Sequence, residues 1–321
     1  MHFRSPVSGS LPLKIATRLP VWGKPRLGLR QHEPRPLRIS ARYLRTRNPE
    51  RAPTITIVTP SYQQGAFLGR TIHSVVSQQY PALEYVVQDG GSTDETLEVL
   101  RRFDALLTRW TSESDDGQAD AINRGFRGTT GEIMAWLNSD DLLLPGSLAY
   151  VARYFVRHPE VDVVYGHRLL IDERDSRIGA WVLPRHDDAA LTVADFVPQE
   201  TLFWRRRSWV SVGGRVDSSF RFAIDWDLLL RFREAGAKIV RLPRYLGAFR
   251  VHDTQKTTSL ELLGLEECDR LRKRVHGRNL TGDEISRRLI PYLLRHMLID
   301  ARYRLTELMP LPRVAVSIRP D

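Results

Sequence analysis

Cysteine and long apolar runs are scarce in this sequence, and each absence excludes a class of protein. Cys268 is the single cysteine among 321 residues, so the chain cannot form an internal disulfide, and a reducing compartment is expected. Cys268 has no neighbouring His or second Cys, so we interpret it as a helix residue without a chemical role. No stretch approaches the roughly 18 apolar residues that cross a bilayer. The nearest, residues 289–299, is interrupted by Arg295 and His296. If the protein works at a membrane, we expect it to act from one side.

Glycine-rich nucleotide motifs are also missing. After the first predicted strand, residues 59–65 read TPSYQQG and not G-x-G-x-x-G, which argues against a dinucleotide cofactor. The G-x-x-x-x-G-K-[ST] phosphate loop is absent as well. A sugar nucleotidyltransferase on a similar sheet would need a glycine-rich loop at this place, so the sequence argues against that alternative.

Acids are scarce in the first fifty residues, where eleven Lys or Arg stand against only Glu33 and Glu50. This segment has many prolines and no regular apolar period, so we predict a flexible basic arm over residues 1–50. It lacks the apolar core and cleavage site of a secretory signal. The whole chain has a formal net charge of +10 and should be attracted to anionic surfaces, including a membrane against which the arm could lie. A passive solvated tail is the alternative.

Strand and helix patterns alternate from residue 54 onward. Residues 55–59 are β-branched and bounded by prolines, which predicts a strand, and apolar positions at helical spacing after Gly65 predict a helix. Ser92 and Glu95 have the spacing of a capping box at the start of the next helix. Further strands are expected at residues 83–88, 110–113, 133–137 and 161–165, with helices between them. Repeated βα units predict an α/β fold with a mostly parallel sheet flanked by helices.

Three segments follow from this pattern. They are the arm at 1–50, an α/β domain at 51–258 and a C-terminal helical extension at 259–321. In the extension, Ile285, Leu289, Leu293 and Leu294 give one helical period with arginines nearby, and this face could lie on an anionic membrane. Packing against the α/β domain or against a twin subunit is the alternative, so a homo-oligomer stays open.

Polar side chains end two of the predicted strands. Asp89 follows residues 83–88, and Asn138, Ser139, Asp140 and Asp141 follow residues 133–137. Parallel sheets bind ligands beyond the carboxyl ends of their strands, so we expect Asp89 and Asp140 to face one crevice. Mg²⁺ and Mn²⁺ prefer such oxygen ligands and bind through one or two carboxylates plus substrate phosphates. A solvated turn without a ligand is the alternative for each stretch.

Four segments carry a resemblance: VTPSY at 58–62, DGGSTD at 89–94, DGQ to NRG at 116–125, and LNSDD at 137–141. Together they resemble the family 2 inverting glycosyltransferases of GT-A fold, over about residues 54 to 258. The resemblance implies a nucleotide-diphosphate sugar donor, a UDP-sugar by preference, and a divalent metal, Mn²⁺ or Mg²⁺. It also implies transfer by a single displacement.

The resemblance implies roles for individual residues. Asp89 matches the aspartate that binds the uracil or ribose of the donor, and Asp140 matches the second acid of the D-x-D motif, which contacts the metal. Asn138 stands where the first acid usually is, and Asp141 either supplies that charge, caps the next segment or lies on the acceptor side. His252 is similar to a His that approaches the metal or diphosphate, with a surface His as the alternative. The residues matched to donor contacts are Thr59, Pro60, Tyr62, Asp89, Asp120, Asn138 and Ser139.

The incoming hydroxyl is a poor nucleophile, so a carboxylate must take its proton. Residues 222–231 resemble the family segment in which an acid before a helix is the base, and Asp225 is the candidate. Ile224 replaces the usual Glu before it, so Asp227 stays an alternative. An acid that only favours a helix N-terminus is the non-catalytic interpretation of Asp225.

Residues 199–206 resemble the family's acceptor-side segment. Trp204 could offer a ring face to a sugar, and Arg205 or Arg206 could contact a phosphate; a core Trp beside exposed arginines is the alternative. The Q-x-x-R-W motif of processive synthases is absent, so one sugar per encounter is expected.

The sequence therefore predicts a glycosyltransferase of envelope polysaccharide biosynthesis that acts on a saccharide or lipid-linked acceptor. We expect it to be cytoplasmic and peripheral on the inner face of the plasma membrane. A basic nucleic-acid-binding protein is the other alternative, but only the charge supports it, because no nucleic-acid-reading motif is present and the arm has few aromatics.

Overall fold

The computed structural model describes residues 31–252, 261–308 and 312–316. Predictions for residues 1–30, among them most of the basic arm, lie outside the described residues. No helix within the described ranges has both the length and the apolar character needed to span a membrane.

Most strands belong to one sheet. Its strands in spatial order are β1, β9, β8, β10, β6, β3, β4 and β5, while β11 pairs with both β8 and β7. The bounds are β1 Gln31–Arg35, β2 Arg38–Ser40, β3 Ile55–Ser61, β4 Leu83–Asp89, β5 Arg109–Ser112, β6 Ile133–Trp136, β7 Leu142–Leu143, β8 Val163–Ile171, β9 Arg177–Trp181, β10 Phe203–Arg205, β11 Ile239–Arg250 and β12 Arg313–Ala315.

The helices cover the sheet and extend beyond it at the C-terminal end. Their bounds are α1 Gly65–Val76, α2 Thr96–Phe103, α3 Gln118–Phe126, α4 Ser147–Arg157, α5 Asp188–Leu191, α6 Arg206–Ser211, α7 Ile224–Glu234, α8 Glu261–His276 and α9 Gly282–Leu308. The apolar positions that predicted α1 and α4 are buried, as the helical period requires.

The central part of the sheet is parallel: β6, β3, β4 and β5 run side by side in one direction. The antiparallel strand β10 lies between β6 and β8, and β11 runs parallel to β8 over most of its length. The predicted α/β fold with helices on a mostly parallel sheet is confirmed. Because Ser61 pairs with Asp89 at the carboxyl ends of β3 and β4, the loops after these strands open at the same edge.

Helix α2 does not begin with the predicted capping box. It starts at Thr96, and its N-cap residue Glu95 makes no capping hydrogen bond through its side chain. The Ser92 hydroxyl instead donates to Asp89 at 2.6 Å, and it accepts the backbone N–H of Gln63 at 2.7 Å. The prediction was wrong because Ser92 has a stronger, charged partner at the strand end, which the local spacing does not reveal.

The prediction of a flexible arm is wrong for the last part of residues 1–50, the part that the structure describes. Strand β1 pairs with β9, and β2 pairs with β12. Leu37, Ile39 and Tyr43 are buried in a small core with residues of β7, β8 and β11. The short apolar positions between prolines and arginines are too few to show a period, yet they suffice to hold this segment on the sheet.

The predicted C-terminal helices are present as α8 and α9. In α9, Leu289 and Leu293 are buried in the main core of the molecule together with Tyr292. In α8, Cys268 and Leu271 face inward while Leu262 is 78% exposed. The extension therefore packs against the α/β domain, which is one of the alternatives that the sequence left open.

Candidate active site

A cleft of about 1000 Å³ opens at the carboxyl ends of the central strands. Its outer wall includes Pro60, Tyr62 and the turn at Gly90 and Gly91. Gly91 has φ 81°, a left-handed backbone that favours glycine. The loop after β6 forms the floor, and residues from β8, α7 and α8 form the inner wall. The volume is that of an ordinary ligand site, and it lies where the sequence predicted a crevice.

The loop after β6 is held from two sides. The Thr71 hydroxyl of α1 donates to the carbonyls of Ser139 at 2.7 Å and Asp141 at 2.8 Å. From β11, the Arg250 guanidinium donates through Nε to the Asp140 carbonyl at 2.8 Å, and the Arg250 N–H donates to the Asp141 carboxylate at 3.0 Å. Arg250 is fully buried and forms an ion pair with Asp175. Sequence reasoning missed Thr71 and Arg250 because their partners lie about 70 and 110 positions away in the chain.

Asp140 lines the cleft, and its partner His252 is buried and is not part of the cleft wall. Asp140 Oδ2 lies 3.0 Å from His252 Nε2, and Asp140 lines the cleft with its side chain 20% exposed. The His252 ring packs on Phe67 with 4.8 Å between the ring centroids. No cluster of three or more His, Cys, Asp or Glu side chains suited to a metal occurs in the described ranges. The chain thus offers one carboxylate at the cleft with a buried imidazole behind it, which fits a divalent ion that takes most of its ligands from phosphate and water.

Asn138 and Ser139 both line the cleft beside Asp140. The Asn138 side-chain carbonyl accepts a hydrogen bond from Gln118 Nε2 at 2.8 Å. Gln118 is the first residue of α3. The Asn138 amide, which stands in place of the first acid of the D-x-D motif, therefore links the loop after β6 to the N-terminus of α3.

Asp89 lies beneath the cleft. Its carboxylate accepts hydrogen bonds from the N–H groups of Gly91 and Ser92 and from the hydroxyls of Ser92 and Ser112, at 2.6 to 3.1 Å. Asp89 is fully buried and is not part of the cleft wall. Asp89 holds the turn that borders the cleft, and its direct contact with the donor stays a prediction.

Two other matched donor residues also lie off the wall. Thr59 is fully buried and exchanges a 3.0 Å hydrogen bond with the Tyr85 hydroxyl. Asp120 forms an ion pair with Arg124 at 2.7 Å and accepts the N–H of Asp116. The acid that does line the cleft here is Asp115, whose pKa is raised by burial. The adjacent acids at 115 and 116 look alike in sequence, and only the turn geometry separates them.

Asp225 lies at the inner wall, in the first turn of α7. Burial raises the pKa of Asp225 from 3.8 to about 6, although the N–H of Trp226 donates to the carboxylate at 3.0 Å. Asp227 is fully buried and binds Arg231 and Arg274 through its two oxygens at 2.8 and 2.5 Å. Asp227 is therefore a structural acid, and of the two candidates only Asp225 faces the cleft.

A second carboxyl, Asp195, lines the same wall and was missed. Burial and the charge of Asp225 raise the pKa of Asp195 well above its ordinary value, so the charge of one carboxyl opposes ionisation of the other. Arg168 stands beside them and binds Glu200 through two hydrogen bonds, one of them at 2.8 Å. The Glu200 carboxylate pairs with this arginine, and the Arg168 charge still lowers the pKa of both Asp195 and Asp225, against the effect of burial.

The C-terminal extension contributes to the inner wall. Cys268 and Arg272 of α8 line the cleft, and burial raises the pKa of Cys268 to about 12, so the thiol stays protonated. Glu267 accepts the backbone N–H groups of Arg221, Phe222 and Ala223 at 2.8 to 2.9 Å. These three residues come directly before α7, so Glu267 fixes the segment that leads to the Asp225 carboxyl.

The predicted acceptor residues are not at the cleft. Trp204 is fully buried between Trp136, Trp209 and Phe232, with ring centroids 5.5 to 6.0 Å apart. Arg205 donates to the carbonyls of Phe155, His158 and Val161, and Arg206 donates to Gly131. Both arginines therefore bind backbone carbonyls near the start of β6, where Arg205 pairs with Ile133.

Asp141 is also not an acceptor residue. It is buried, and burial followed by the charge of Asp140 raises its pKa well above the ordinary value. A carboxyl without solvent access cannot bind an acceptor sugar, so its role is to receive the Arg250 N–H.

Comparison with known proteins agrees with the fold. The O-antigen biosynthesis protein RfbC of Myxococcus xanthus is 31% identical over 209 residues, which is 64% of this chain and 16% of that protein. This chain therefore spans less than a fifth of that relative. The crystal structure of Staphylococcus aureus TarS 1–349 in complex with UDP-GlcNAc has a TM-score of 0.58 at 16% identity, covering 80% of this chain and 76% of that chain.

A second solved structure has the same fold. It is the mannosyltransferase PcManGT from Pyrobaculum calidifontis in complex with GDP-Man and Mn²⁺, with a TM-score of 0.55 at 18% identity, covering 84% of this chain and 81% of that chain. At such identities the likeness concerns the fold alone. The family model described as Glycosyl transferase family 2 matches residues 56–217, which is half of the chain and contains both acidic strand ends. This chain belongs to glycosyl transferase family 2 and is a glycosyltransferase of GT-A fold.

Proposed function

We propose that this enzyme is an inverting glycosyltransferase that moves one sugar from a nucleotide-diphosphate sugar to a hydroxyl of a saccharide or lipid-linked acceptor. One observation carries the proposal. Asp225, a carboxyl whose pKa is raised to about 6, lines the same cleft as the loop of Asn138, Ser139 and Asp140. A base with a pKa near neutrality is ionised at pH 7 and still basic enough to accept a proton.

The transfer is a single displacement. Ionised Asp225 accepts the proton of the acceptor hydroxyl as that oxygen forms a bond to the anomeric carbon. The bond from the anomeric carbon to the diphosphate oxygen breaks at the same time, and its electron pair leaves with the nucleoside diphosphate. Attack from the face opposite the leaving group inverts the anomeric configuration.

The donor is a UDP-sugar in this proposal, since the family resemblance includes the uridine-side segments and TarS of the same fold was solved with UDP-GlcNAc. Pro60, Tyr62 and Asp115 are the wall residues available to the nucleotide. Asp140 and His252 would hold a divalent ion, Mn²⁺ or Mg²⁺, and the PcManGT complex with Mn²⁺ supports this assignment. Such an ion, when bound, stabilises the charge that the diphosphate gains.

The acceptor belongs to the cell envelope in this proposal, a polysaccharide or its lipid-linked precursor. RfbC, a relative, is by name an O-antigen biosynthesis protein. An acceptor of this kind requires an enzyme that works at the inner face of the plasma membrane, peripheral to it. The partly exposed carboxyls Asp195 and Asp225 are the groups at the inner wall that can bind sugar hydroxyls.

The test has two steps. Thermal shifts are measured with a panel of UDP- and GDP-sugars, each with Mn²⁺, Mg²⁺ or a chelator, and we expect one donor to raise the melting temperature in the presence of metal. The enzyme is then given that donor and an acceptor saccharide, and the anomeric configuration of the product is read by proton NMR. Retention of the donor's configuration, or stabilisation by no nucleotide-sugar at all, contradicts the proposal.

A further inference from the structure

Helix α9 has two apolar faces, and only one of them is covered. The inner face, with Leu289, Tyr292 and Leu293, is packed in the main core. On the opposite side the helix exposes Leu294 at 50%, Leu298 at 74% and Leu305 at 63%. These leucines are among the most exposed large apolar residues of the described chain, and three of them on one helix face are unusual for a surface without a partner.

The exposed leucines form one straight line along the helix. Pro291 and Ala301 are exposed as well and complete a spacing of three and four residues, which keeps all five side chains on one side of the helix. We call this line the apolar stripe; its members are Pro291, Leu294, Leu298, Ala301 and Leu305.

Arginines border the apolar stripe on one flank. Arg288, Arg295 and Arg302 are exposed and stand seven residues apart, so they follow the stripe over four turns of the helix. Between residues 287 and 305 the only acid is Asp300, which lies on the other side of the helix and pairs with Arg304. Arg295 also pairs with the Asp187 carboxylate, so the positive charge beside the stripe is partly neutralised at its centre and comes mainly from Arg288 and Arg302.

We propose that the apolar stripe of α9 and its three flanking arginines are a docking surface for an anionic lipid membrane. The leucines would enter the boundary between headgroups and acyl chains while the arginines bind the lipid phosphates, as in an interfacial amphipathic helix. The formal net charge of +10 adds long-range attraction to the same surface. This proposal does not depend on the transfer chemistry, because no residue of the stripe or its flank lines the cleft.

A second copy of the chain fits this surface less well. The three-and-four spacing resembles a coiled-coil seam, in which residues flanking the seam pair across the interface. Here the flanking positions hold Arg288, Arg295 and Arg302 on one side and Ile290, Met297 and Arg304 on the other. No acid is present to pair with the arginines in either orientation, and antiparallel helices would bring arginines face to face.

Vesicle co-sedimentation of the full chain tests the proposal. The probes are phosphatidylcholine vesicles with and without phosphatidylglycerol, at low and high salt. We expect binding only to the anionic vesicles. The variant Arg288→Gln/Arg302→Gln, which leaves the Arg295–Asp187 pair intact, should bind about 25-fold more weakly at low salt, from about fivefold per arginine. The variant Leu294→Gln/Leu298→Gln/Leu305→Gln should lose more than about tenfold at both salt concentrations, because its loss is apolar.

The controls are matched in chemistry and exposure. Leu106→Gln/Val156→Gln/Val210→Gln removes three other exposed apolar side chains, and it should bind as the parent does. All substitutions are at exposed positions, and unchanged melting temperatures establish that each variant is folded. Equal vesicle binding by the stripe variant and the parent overturns the proposal. So does a dimer in sedimentation velocity that the stripe variant alone dissolves, since a second copy would then be the occupant.

Discussion

The substitution Asp225→Asn should stabilise the enzyme at neutral pH while removing most of its activity. An acid whose pKa rises on folding makes the folded state less stable once it ionises. The pKa of Asp225 rises from 3.8 to about 6, a difference of about two pH units, which corresponds to about 3 kcal/mol at a pH above both values. This cost is absent below pH 3.8, grows as the pH rises through 6, and is then constant.

Two effects reduce the gain that the variant can show. Asp225 stands in the first turn of α7, where the helix dipole favours a negative charge by about 0.3–1 kcal/mol. One side of the carboxyl also reaches the cleft, where water screens part of the burial cost. We therefore expect Asp225→Asn to be more stable than the parent by about 2 kcal/mol at pH 8 and equal to it at pH 4. The turnover number should fall by about 10² to 10⁴, because a general base is lost.

Urea unfolding at pH 4, 6 and 8 measures the stability difference, and initial rates with saturating donor measure the activity. Asp227→Asn is the matched control, since it is a buried acid on the same helix that is paired with Arg231 and Arg274. Breaking that buried pair should destabilise the fold by about 3–5 kcal/mol. If Asp225→Asn is less stable than the parent at pH 8, the carboxylate is a helix-favouring structural acid and the assignment as base is refuted.

Three further substitutions address the rest of the site. Asp140→Ala should abolish the dependence of donor affinity on Mn²⁺ in isothermal calorimetry, and equal affinity with and without the metal would mean that Asp140 is structural. Asp195→Asn should leave the acidic limb of the plot of kcat/KM against pH near pH 6, because Asn resembles the protonated carboxyl. If the limb moves by about one pH unit or more, Asp195 is ionised beside Asp225 in the parent. Glu267→Ala should lower kcat at least about tenfold with little change in donor KM, because the segment before α7 loses its acceptor. Glu267→Gln still accepts two N–H groups and should keep most of the parent's kcat. An equal loss of kcat in both variants would contradict the positioning role.

The sequence predicted the parts of the fold that depend on local pattern. The strands that end near Asp89 and Asp140 and the helix that begins at Gln118 follow from periodicity within ten residues or so. The pairing of β11 with β8 and of β1 with β9 depends on contacts between distant segments, so no local period indicates them.

The differences between the motifs and the observed site have a common physical origin, which is burial. Trp204 and Asp89 are polar or aromatic residues at motif positions, and motif matching treats such residues as ligand contacts. In the folded chain Trp204 is the centre of an aromatic cluster, and Asp89 accepts four hydrogen bonds from its own turn and from Ser112. Conversely, Asp195 and Glu267 carry no motif, and only the folded chain brings Asp195 to the cleft wall and Glu267 against the segment before α7.

The charges around position 138 explain why it holds a neutral amide and not an acid. The Asn138 Nδ2 lies 3.5 Å from the buried Asp141 carboxyl, and Asp140 stands between them in the chain. Burial and the Asp140 charge already raise the pKa of Asp141, so a third carboxylate at position 138 would add repulsion to a loop that has no basic side chain of its own. The neutral amide avoids this cost and bonds to Gln118 instead. Of the acids in this loop, Asp140 is therefore the one that is partly exposed at the cleft, whereas Asp141 is buried.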